Sequence, residues 1–319
     1  MPSQTRRHRS SSLATRFAVP LLATVGAALG VPAPSAAQAR TSTAVQAETA
    51  APLLWQPSMN VFRRFSVDRA KMIEFYGEVL GLEALPTFNL GGGSQMTRFL
   101  VGTSEIKLTT TVPSRQYQAG PIDEVIGLRL LTFFFPDEAA LVARFTAHGY
   151  PAPKFHSARG GTARAALVQD ADGQWVELVV VPDAAAEVFD RIEVGVTVTD
   201  LERSRAFYRR FVGLEELPPV HDTLLGTTRH PFRHGTTTVN LWTFGAGLPV
   251  DNGSAGIQYV VWNVDGVDAL ARARHVTIDQ PLRGAFGTLR TIWLEDPDGV
   301  TNYFAETARA REEGAPAAR

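Results

Sequence analysis

The stretch FYGEVLGLEALP, residues 75–86, recurs 132 residues later as FYRRFVGLEELP, residues 207–218. Asp68 and Asp200 precede the two copies at the same distance. Each copy is followed by a second signature, which reads DADG in the first case and DPDG in the second. A repeat of this length has the size of a domain and is far longer than the unit of a solenoid protein. The sequence therefore predicts two homologous domains.

Each predicted domain divides again into two similar halves. RIEVGVTV (191–198) alternates apolar and polar residues, as a half-buried strand does. Thr199 and Glu202 then fit a capping box at a helix start, and Gly213 stands where that helix would end. A strand followed by a helical pattern also occurs in the other three halves, whose first strands are 60–67, 127–135 and 256–264. The sequence therefore predicts an α+β protein built from four βαβββ modules.

The two domains are expected at residues 58–183 and 189–306. Residues 40–57 are rich in Ala, Thr and Gln and show no apolar period, which favours a flexible linker. Residues 307–319 are expected to form a disordered tail.

Residues 1–39 have the features of a signal peptide. Four arginines precede an apolar stretch at 17–31, and the small-x-small sequence Ala37-Gln38-Ala39 follows it. The apolar stretch is too short to span a bilayer comfortably. We therefore expect an exported protein, periplasmic or secreted, with no membrane association after signal removal.

The composition excludes several kinds of protein. The chain has no cysteine, so a disulfide framework, a thiolate nucleophile and a cysteine-ligated zinc are all ruled out. Lys and Arg number 31 against 32 Asp and Glu, so no basic excess indicates a nucleic-acid partner. A small-molecule partner is the expectation that is left, and the sequence leaves the oligomeric state open.

The Asp-led helix with FY-x4-LGLE, the Asp-x-Asp-Gly hairpin and the paired βαβββ modules resemble the vicinal oxygen chelate superfamily. Glyoxalase I, extradiol dioxygenases, and fosfomycin-resistance and bleomycin-resistance proteins belong to that superfamily. The resemblance covers about residues 58–306 and implies two domains with cupped mixed sheets. It also implies a divalent metal inside each cup, held by His, Gln or Glu side chains on the first and last strands of the modules.

The positions that the resemblance assigns to metal ligands are poor in donors. In the first domain they fall on Val61, on Leu130 or its neighbour, and on Glu177. In the second domain they fall on Glu193, on Tyr259 and on Tyr303. Neutral phenols and aliphatic side chains bind divalent cations poorly. No cofactor is therefore favoured.

One alternative restores a ligand set. If the second module paired with the third, across the domain boundary, Glu177, Glu193 and Asn240 would converge. Two carboxylates and an amide suit a hard divalent cation. In this pairing the cation would be Mg²⁺, Mn²⁺ or Ca²⁺, or the paired carboxylates would share a proton as acid and base. Mg, Mn, Fe or Zn is expected only if the protein is a metal-dependent enzyme.

Histidine supplies none of the expected ligands. His221, His230 and His234 crowd one segment, and Pro231 together with the neighbouring Thr and Gly residues predicts a loop there.

Apolar and aromatic residues are expected to line the two cups. A mostly apolar cup with a few polar groups is the usual form of a small-molecule pocket, although the same side chains would also fill a closed core. The predicted pocket residues are Val61, Phe65, Leu130, Phe134, Thr197, Trp242, Tyr259, Asn263 and Tyr303.

Three functions remain open on the sequence. The favoured one is a metal-free binding protein for a small apolar or aromatic molecule, because the usual metal ligands are missing. The second is a metal-dependent lyase, isomerase or dioxygenase with nonstandard ligands that include Glu177 and Glu193. The third is a scaffold whose outer surface binds protein.

Overall fold

A computed structural model describes residues 48–66, 68–91, 94–110, 120–158, 162–285 and 287–316. The predicted signal peptide and the first part of the predicted linker lie outside these ranges. The described residues belong to one compact unit, Ala36–Arg319. Within them, no helix is long and apolar enough to cross a membrane.

The first two modules each contain a strand, a helix and three further strands. Module one consists of β1 (Asn60–Arg64), α1 (Arg69–Ile73), β2 (Glu83–Gly91), β3 (Ser94–Val101) and β4 (Ser104–Thr109). Module two consists of β5 (Gly127–Phe135), α2 (Glu138–Ala147), β6 (His156–Ser157), β7 (Arg164–Gln169) and β8 (Trp175–Val180).

The last two modules repeat this order, with one additional short strand in module three. Module three consists of β9 (Ile192–Thr197), α3 (Leu201–Ala206), β10 (Glu215–Glu216), β11 (Val220–Asp222), β12 (Thr227–His234) and β13 (Thr237–Trp242). Module four consists of β14 (Ala255–Val260), α4 (Val264–Ala273), β15 (Ile278–Arg283), β16 (Arg290–Glu295) and β17 (Thr301–Glu306). The predicted α+β class and the four βαβββ modules are confirmed.

Side chains with a short polar group start each of these four helices. Asp68 accepts a hydrogen bond from the Ala70 N–H, and Asp137 and Asp200 cap α2 and α3 in the same way. Asn263 accepts from the Gly266 N–H and caps α4. These oxygens satisfy N–H groups that the first helical turn leaves without a partner. The third helix thus starts from Asp200, one residue later than the capping box predicts.

The two sheets do not follow the order of the repeat. Modules one and four form one sheet, with strand order β15-β16-β17-β14-β1-β4-β3-β2. Modules two and three form the other, with strand order β10-β12-β13-β9-β5-β8-β7-β6 and β11 paired to β12. We call them sheet 1–4 and sheet 2–3. Each of the domains predicted at 58–183 and 189–306 therefore gives one module to each sheet, and the cross-domain pairing weighed as an alternative is the observed one.

The repeated signatures hold successive modules together. The Tyr76 hydroxyl donates to Asp170 Oδ2 at 3.0 Å, and the Tyr208 hydroxyl donates to Asp296 Oδ2 at 3.0 Å. Each bond joins the helix of one module to the Asp-x-Asp-Gly turn of the next, and so joins sheet 1–4 to sheet 2–3. The π-helical segments Glu74–Val79 and Phe207–Val212, which continue α1 and α3, carry these tyrosines. One hydrophobic core receives side chains from both sheets and from the helices.

The two turn aspartates differ in their electrostatic surroundings. Asp170 lies 3.5 Å from the guanidinium Nε of Arg63. Asp296 is held by the N–H groups of Asp298 and Val300 and by a tyrosine hydroxyl. Burial raises the pKa of Asp296 to about 7, although the hydrogen bonds from the backbone oppose this shift.

The segment before β1 is packed onto the core. Ala50 and Leu53 are fully buried, and a 3₁₀ turn, Ala51–Leu53, leads into Leu54, which forms a bridge to Val261. This corrects the flexible linker predicted at 40–57 for its described part. A few isolated apolar side chains cover the end of the core without any period that a sequence pattern would reveal.

The described part of the predicted tail is also ordered. Residues Ala308–Glu313 form α5, in which Thr307 caps the first turn and Ala310 is buried. The disordered tail predicted at 307–319 is therefore corrected up to the end of this helix.

Candidate functional site

The inner face of sheet 2–3, which points away from the helices, carries a row of polar side chains. Glu177 on β8 is in register with Thr132 on β5, and Thr132 is in register with Glu193 on β9. Glu193 is in turn opposite Thr238 on β13. Side chains at register positions on neighbouring strands project to the same face, so the two glutamates stand two strands apart on one surface. The Thr132 hydroxyl donates to Glu177 Oε2 at 2.8 Å.

Arg229 on β12 reaches across this row. Its Nη2 donates to Glu177 Oε1 at 2.9 Å, and its Nε donates to Asp222. Its Nη1 lies 3.6 Å from Glu193 Oε2, and Glu193 Oε2 also accepts a hydrogen bond from Asn240 Nδ2 at 2.8 Å. Three carboxylates therefore surround one guanidinium, which is 5% exposed. We call these five residues the arginine cluster.

The ring of Trp242 lies beside the arginine cluster. The Arg229 guanidinium lies 5.7 Å from the ring centre of Trp242, within the range of a cation–π contact. The Trp242 indole donates to the Thr197 hydroxyl at 2.8 Å, and that hydroxyl donates to the Ile122 carbonyl at 2.6 Å. Gly195 gives the indole its space, because a Cβ there would stand 1.9 Å from a Trp242 ring carbon. The ring is thus fixed from two sides.

Two pockets open on this inner face. The larger has a volume of about 460 Å³ and contains Glu193, Arg229 and Asn240 in its wall. Leu217 and Val220 supply apolar wall in the same pocket. This volume lies within the usual range for small-molecule sites.

The smaller pocket lies beside the first, and its wall combines apolar and aromatic side chains with Asp123. Its volume is about 200 Å³. Asp222 lines the larger pocket while Leu224 and Leu225, just after it, line the smaller one, so the segment after β11 separates the two. The remaining wall of the smaller pocket includes Ile122, Leu167, Trp175 and Phe244.

The arginine cluster does not fit a divalent cation as it stands. Glu177, Glu193 and Asn240 converge, as the cross-domain alternative predicts. A guanidinium already lies among them, 2.9 Å from one carboxylate and 3.6 Å from the other. The positive charge of Arg229 would repel a metal ion at this point, and Glu177 and Glu193 already pair with Arg229. Within the described ranges, no group of three or more His, Cys, Asp and Glu side chains is placed to hold a metal ion.

The inner face of sheet 1–4 carries aromatic side chains. Phe62, Trp293 and Tyr303 form an aromatic cluster in which Trp293 and Tyr303 stack at 4.6 Å. The Arg64 guanidinium lies 4.8 Å from the Phe62 ring centre. Burial raises the pKa of the Tyr303 phenol. This phenol stands at the position that Glu177 has in sheet 2–3, as the strand registers show.

Lys107, whose side chain is 12% exposed, also lies on the inner face of sheet 1–4. The Lys107 amine contacts the Gln258 side-chain oxygen and lies 3.5 Å from Glu105 Oε2. Burial lowers the pKa of Lys107. Both inner faces therefore carry a cationic side chain of the protein itself.

Two predicted pocket residues, one in β1 and one directly after it, lie on the opposite face of the sheet from the pocket. Val61 and Phe65 belong to the core beneath the helices. The Ser66 N–H donates to Asp172, as the Thr199 N–H donates to the corresponding turn. One residue separates Ser66 from the helix cap Asp68, whereas Thr199 directly precedes its cap. Counting back from the cap therefore gives the wrong face in the first domain.

Two predicted pocket residues of module four are corrected as well. Tyr259 faces the core, stacks on Phe304 at 4.9 Å and is hydrogen-bonded to Asn302. Gln258, one residue earlier, takes the inner position and accepts a hydrogen bond from Asn60 at 3.0 Å. Asn263 is a helix cap and lines neither of the two pockets. The remaining predicted pocket residues lie outside the core beneath the helices, on the inner faces of the two sheets, but none of them lines either of the two pockets: Leu130, Phe134, Thr197, Trp242 and Tyr303.

Arg229 is the functional candidate that sequence reasoning missed. The segment Thr227–His234 is strand β12, not a loop, and Pro231 lies inside it. The alternation of Arg229, Pro231 and Arg233 was the available signal, since every second residue of a strand faces the same side. Of the three histidines predicted to lie in a loop, His221 is in β11 and lines the larger pocket. His234, at the end of β12, contacts the Gln56 carbonyl through its Nε2 atom at 2.8 Å.

Comparisons with known proteins agree with this geometry. The chain matches the model of the Glyoxalase/Bleomycin resistance protein/Dioxygenase superfamily over residues 58–178 and 189–304. It is similar to the structure of a mutant of glyoxalase I from Zea mays, with 18% identity, a TM-score of 0.61, and coverage of 87% of this chain and 99% of that one. It is also similar to a putative dioxygenase from Bacillus subtilis, with 11% identity, a TM-score of 0.54, and coverage of 82% and 86%. No curated protein matches the chain. At these identities the structural likeness shows the fold alone.

Proposed function

Because the chain belongs to the Glyoxalase/Bleomycin resistance protein/Dioxygenase superfamily, we propose that it binds a small apolar or aromatic molecule in sheet 2–3 without a divalent metal. The observation that carries the proposal is the position of Arg229. Its guanidinium stands where Glu177, Glu193 and Asn240 converge, beside an open pocket of about 460 Å³.

The smaller pocket supports the apolar part of the proposal. An engineered cavity of roughly 150 Å³ lined by Leu, Ile and Phe is large enough to bind benzene. A pocket of about 200 Å³ with Ile122, Leu167 and Phe244 in its wall has space for one aromatic ring. Trp175 adds an aromatic face on which such a ring would stack.

A second candidate function has one observation in its favour. Glu177 and Glu193 meet with Asn240 in the observed module pairing, and these are the nonstandard ligands of the metal-dependent enzyme considered from the sequence. For that function, Arg229 would have to leave the cluster when the metal binds. The two candidates therefore differ in whether the native protein holds a metal.

Metal analysis of protein purified without a histidine tag separates the two candidates. We expect less than stoichiometric metal in the native protein. Arg229→Ala should gain affinity for Mn²⁺, because it removes the cation from among three carboxylates. Arg233→Ala, two residues along the same strand, serves as the matched control. Stoichiometric metal in the native protein that is lost in Glu177→Ala or Glu193→Ala contradicts the proposal and establishes the second candidate.

A thermal-shift screen with small aromatic compounds tests binding directly. A compound that binds the folded state raises the melting temperature as its concentration increases. The rise should be reduced when Leu167→Arg fills the smaller pocket with a charged side chain. If no compound shifts the native protein, a surface scaffold becomes the better interpretation.

Export is part of the same proposal and rests on residues 1–39. Production of the full chain in a bacterial host should give a mature protein outside the cytoplasm that begins near residue 40. N-terminal sequencing checks this, and recovery of the uncleaved chain in the cytoplasm would contradict it.

A further inference from the structure

Arg229 has one donor atom without a hydrogen bond in the described part of the chain. Its Nε and Nη2 atoms are hydrogen-bonded to Asp222 and Glu177. Its Nη1 atom is buried and has no hydrogen-bond partner in the described part of the chain. The 3.6 Å separation from Glu193 Oε2 is too long for a hydrogen bond. A buried guanidinium N–H without an acceptor is costly, so this atom is suited to an acceptor from outside the protein.

Glu193 provides an acceptor beside that donor. Its side chain is 15% exposed, is held by Asn240 and lines the same pocket as Arg229. An oxygen about 2.9 Å from both atoms would lie to one side of the line that joins them. A small rotation of the Glu193 carboxylate would open the buried Nη1 atom to such an oxygen.

A hydroxyl group satisfies both partners with a single atom. A hydroxyl accepts from Nη1 and donates to the carboxylate through the same oxygen. An ammonium group has no acceptor for Arg229, and a carboxylate has no proton for Glu193. A carboxylate would also be a fourth negative charge around one guanidinium. We therefore propose that the larger pocket binds an uncharged ligand through a hydroxyl group that bridges Arg229 and Glu193.

A second unused polar group lies further along the pocket. The Thr236 hydroxyl, in the turn between β12 and β13, is buried and has no hydrogen-bond partner among the described residues. Thr236 lines the same pocket as Arg229 and Glu193, so a ligand with a second oxygen function would bind this hydroxyl as well.

This inference rests on the proposed metal-free binding function and names the polar chemistry of its ligand. Its test uses probes that share one ring and differ in one group: benzyl alcohol, benzylamine, benzoate and toluene. Phenol and xylitol, added as separate arms, distinguish an aromatic from an aliphatic source of the hydroxyl. Saturation-transfer NMR on the full mature chain ranks their dissociation constants.

We expect benzyl alcohol to bind at least about tenfold more tightly than benzylamine or benzoate, since the ammonium offers Arg229 no acceptor and the carboxylate adds a negative charge beside Glu193. Glu193→Gln should reduce the difference between the dissociation constants of benzyl alcohol and benzoate, because it removes one negative charge from the pocket. Glu193→Met should weaken the binding of benzyl alcohol but leave it tighter than that of toluene, because the hydroxyl keeps its contact with Arg229. Arg272→Gln, on the exposed face of α4 and in the wall of neither pocket, is the control and should leave the ranking unchanged.

Two results would overturn the inference. One is benzoate or benzylamine as the tightest probe, and the other is a benzyl alcohol affinity that Glu193→Met leaves unchanged. In either case the metal-free binding function stands, provided that the native protein is metal-poor and an aromatic compound still raises its melting temperature. Stoichiometric metal in the native protein is a failure of the proposed function itself.

Discussion

Replacing Arg229 by methionine isolates the contribution of the buried cation. Methionine preserves most of the side-chain length, so the substitution removes charge and hydrogen bonds with little loss of volume. Glu177 is 1% exposed and Asp222 is 8% exposed, so both lose a guanidinium that water cannot replace. Removal of one partner from a buried ion pair typically costs about 3–5 kcal/mol. We expect the free energy of unfolding of Arg229→Met to fall by that amount.

A double-mutant cycle in urea tests this magnitude. Glu177→Gln keeps an acceptor for the Thr132 hydroxyl and removes the charge, so it should recover about 1–3 kcal/mol in the Arg229→Met background. In the native background the same change should destabilise, because it leaves Arg229 with one carboxylate fewer.

The matched control for this cycle is Arg233→Met. Arg233 on β12 forms an ion pair with Glu215, which is opposite it on β10, and both side chains are exposed. Such surface pairs contribute about 0–1 kcal/mol. A cost below about 1 kcal/mol for Arg229→Met, or equal effects of Glu177→Gln in both backgrounds, would refute the interpretation of the arginine cluster as a coupled buried network.

Two further predictions concern the packing and the turns. Gly195→Ala places a methyl group against the fully buried Trp242 ring. We expect the free energy of unfolding in urea to fall by about 1–3 kcal/mol and to be partly recovered by Trp242→Phe. An unchanged stability would show that the indole has room to move. Asp296 has a folded-state pKa of about 7 against 3.8 for an unperturbed aspartate, so its contribution to stability is fully present below pH 4 and is lost as the pH rises to 7, at up to about 1.4 kcal/mol per pH unit. Asp296→Asn should remove this part of the pH dependence, whereas Asp170→Asn should not, and identical pH profiles for the native protein and Asp296→Asn would contradict the assignment.

The repeated signatures made most of the fold predictable. Helix caps such as Asp68 and Asp200, and the Asp-x-Asp-Gly turns, act through hydrogen bonds within a few residues, so their sequence patterns are direct records of local structure. Alternation in β9 likewise identified a strand and its two faces. The four modules, the α+β class and the superfamily follow from such local signals.

The candidate site depended on contacts that no local pattern contains. Arg229 and Glu177 are 52 residues apart and lie in different predicted domains. Counting from Asp68 failed for Val61 because one additional residue in the connection exchanges the two faces of a strand. The missed Arg229 and the misplaced Val61 have the same cause. The face and the partners of a side chain depend on register and pairing between strands that are distant in the sequence.

The amino-acid sequence by itself determined the modules, because turns, caps and alternating strands are formed by neighbours in the chain. Which modules share a sheet was decided only by the tertiary structure. The first strand of every module offers similar backbone donors and acceptors to any partner, so burial of the whole core selects the pairing of module two with module three. That pairing brings Glu177 and Glu193 to one guanidinium, and with it the binding site that we propose.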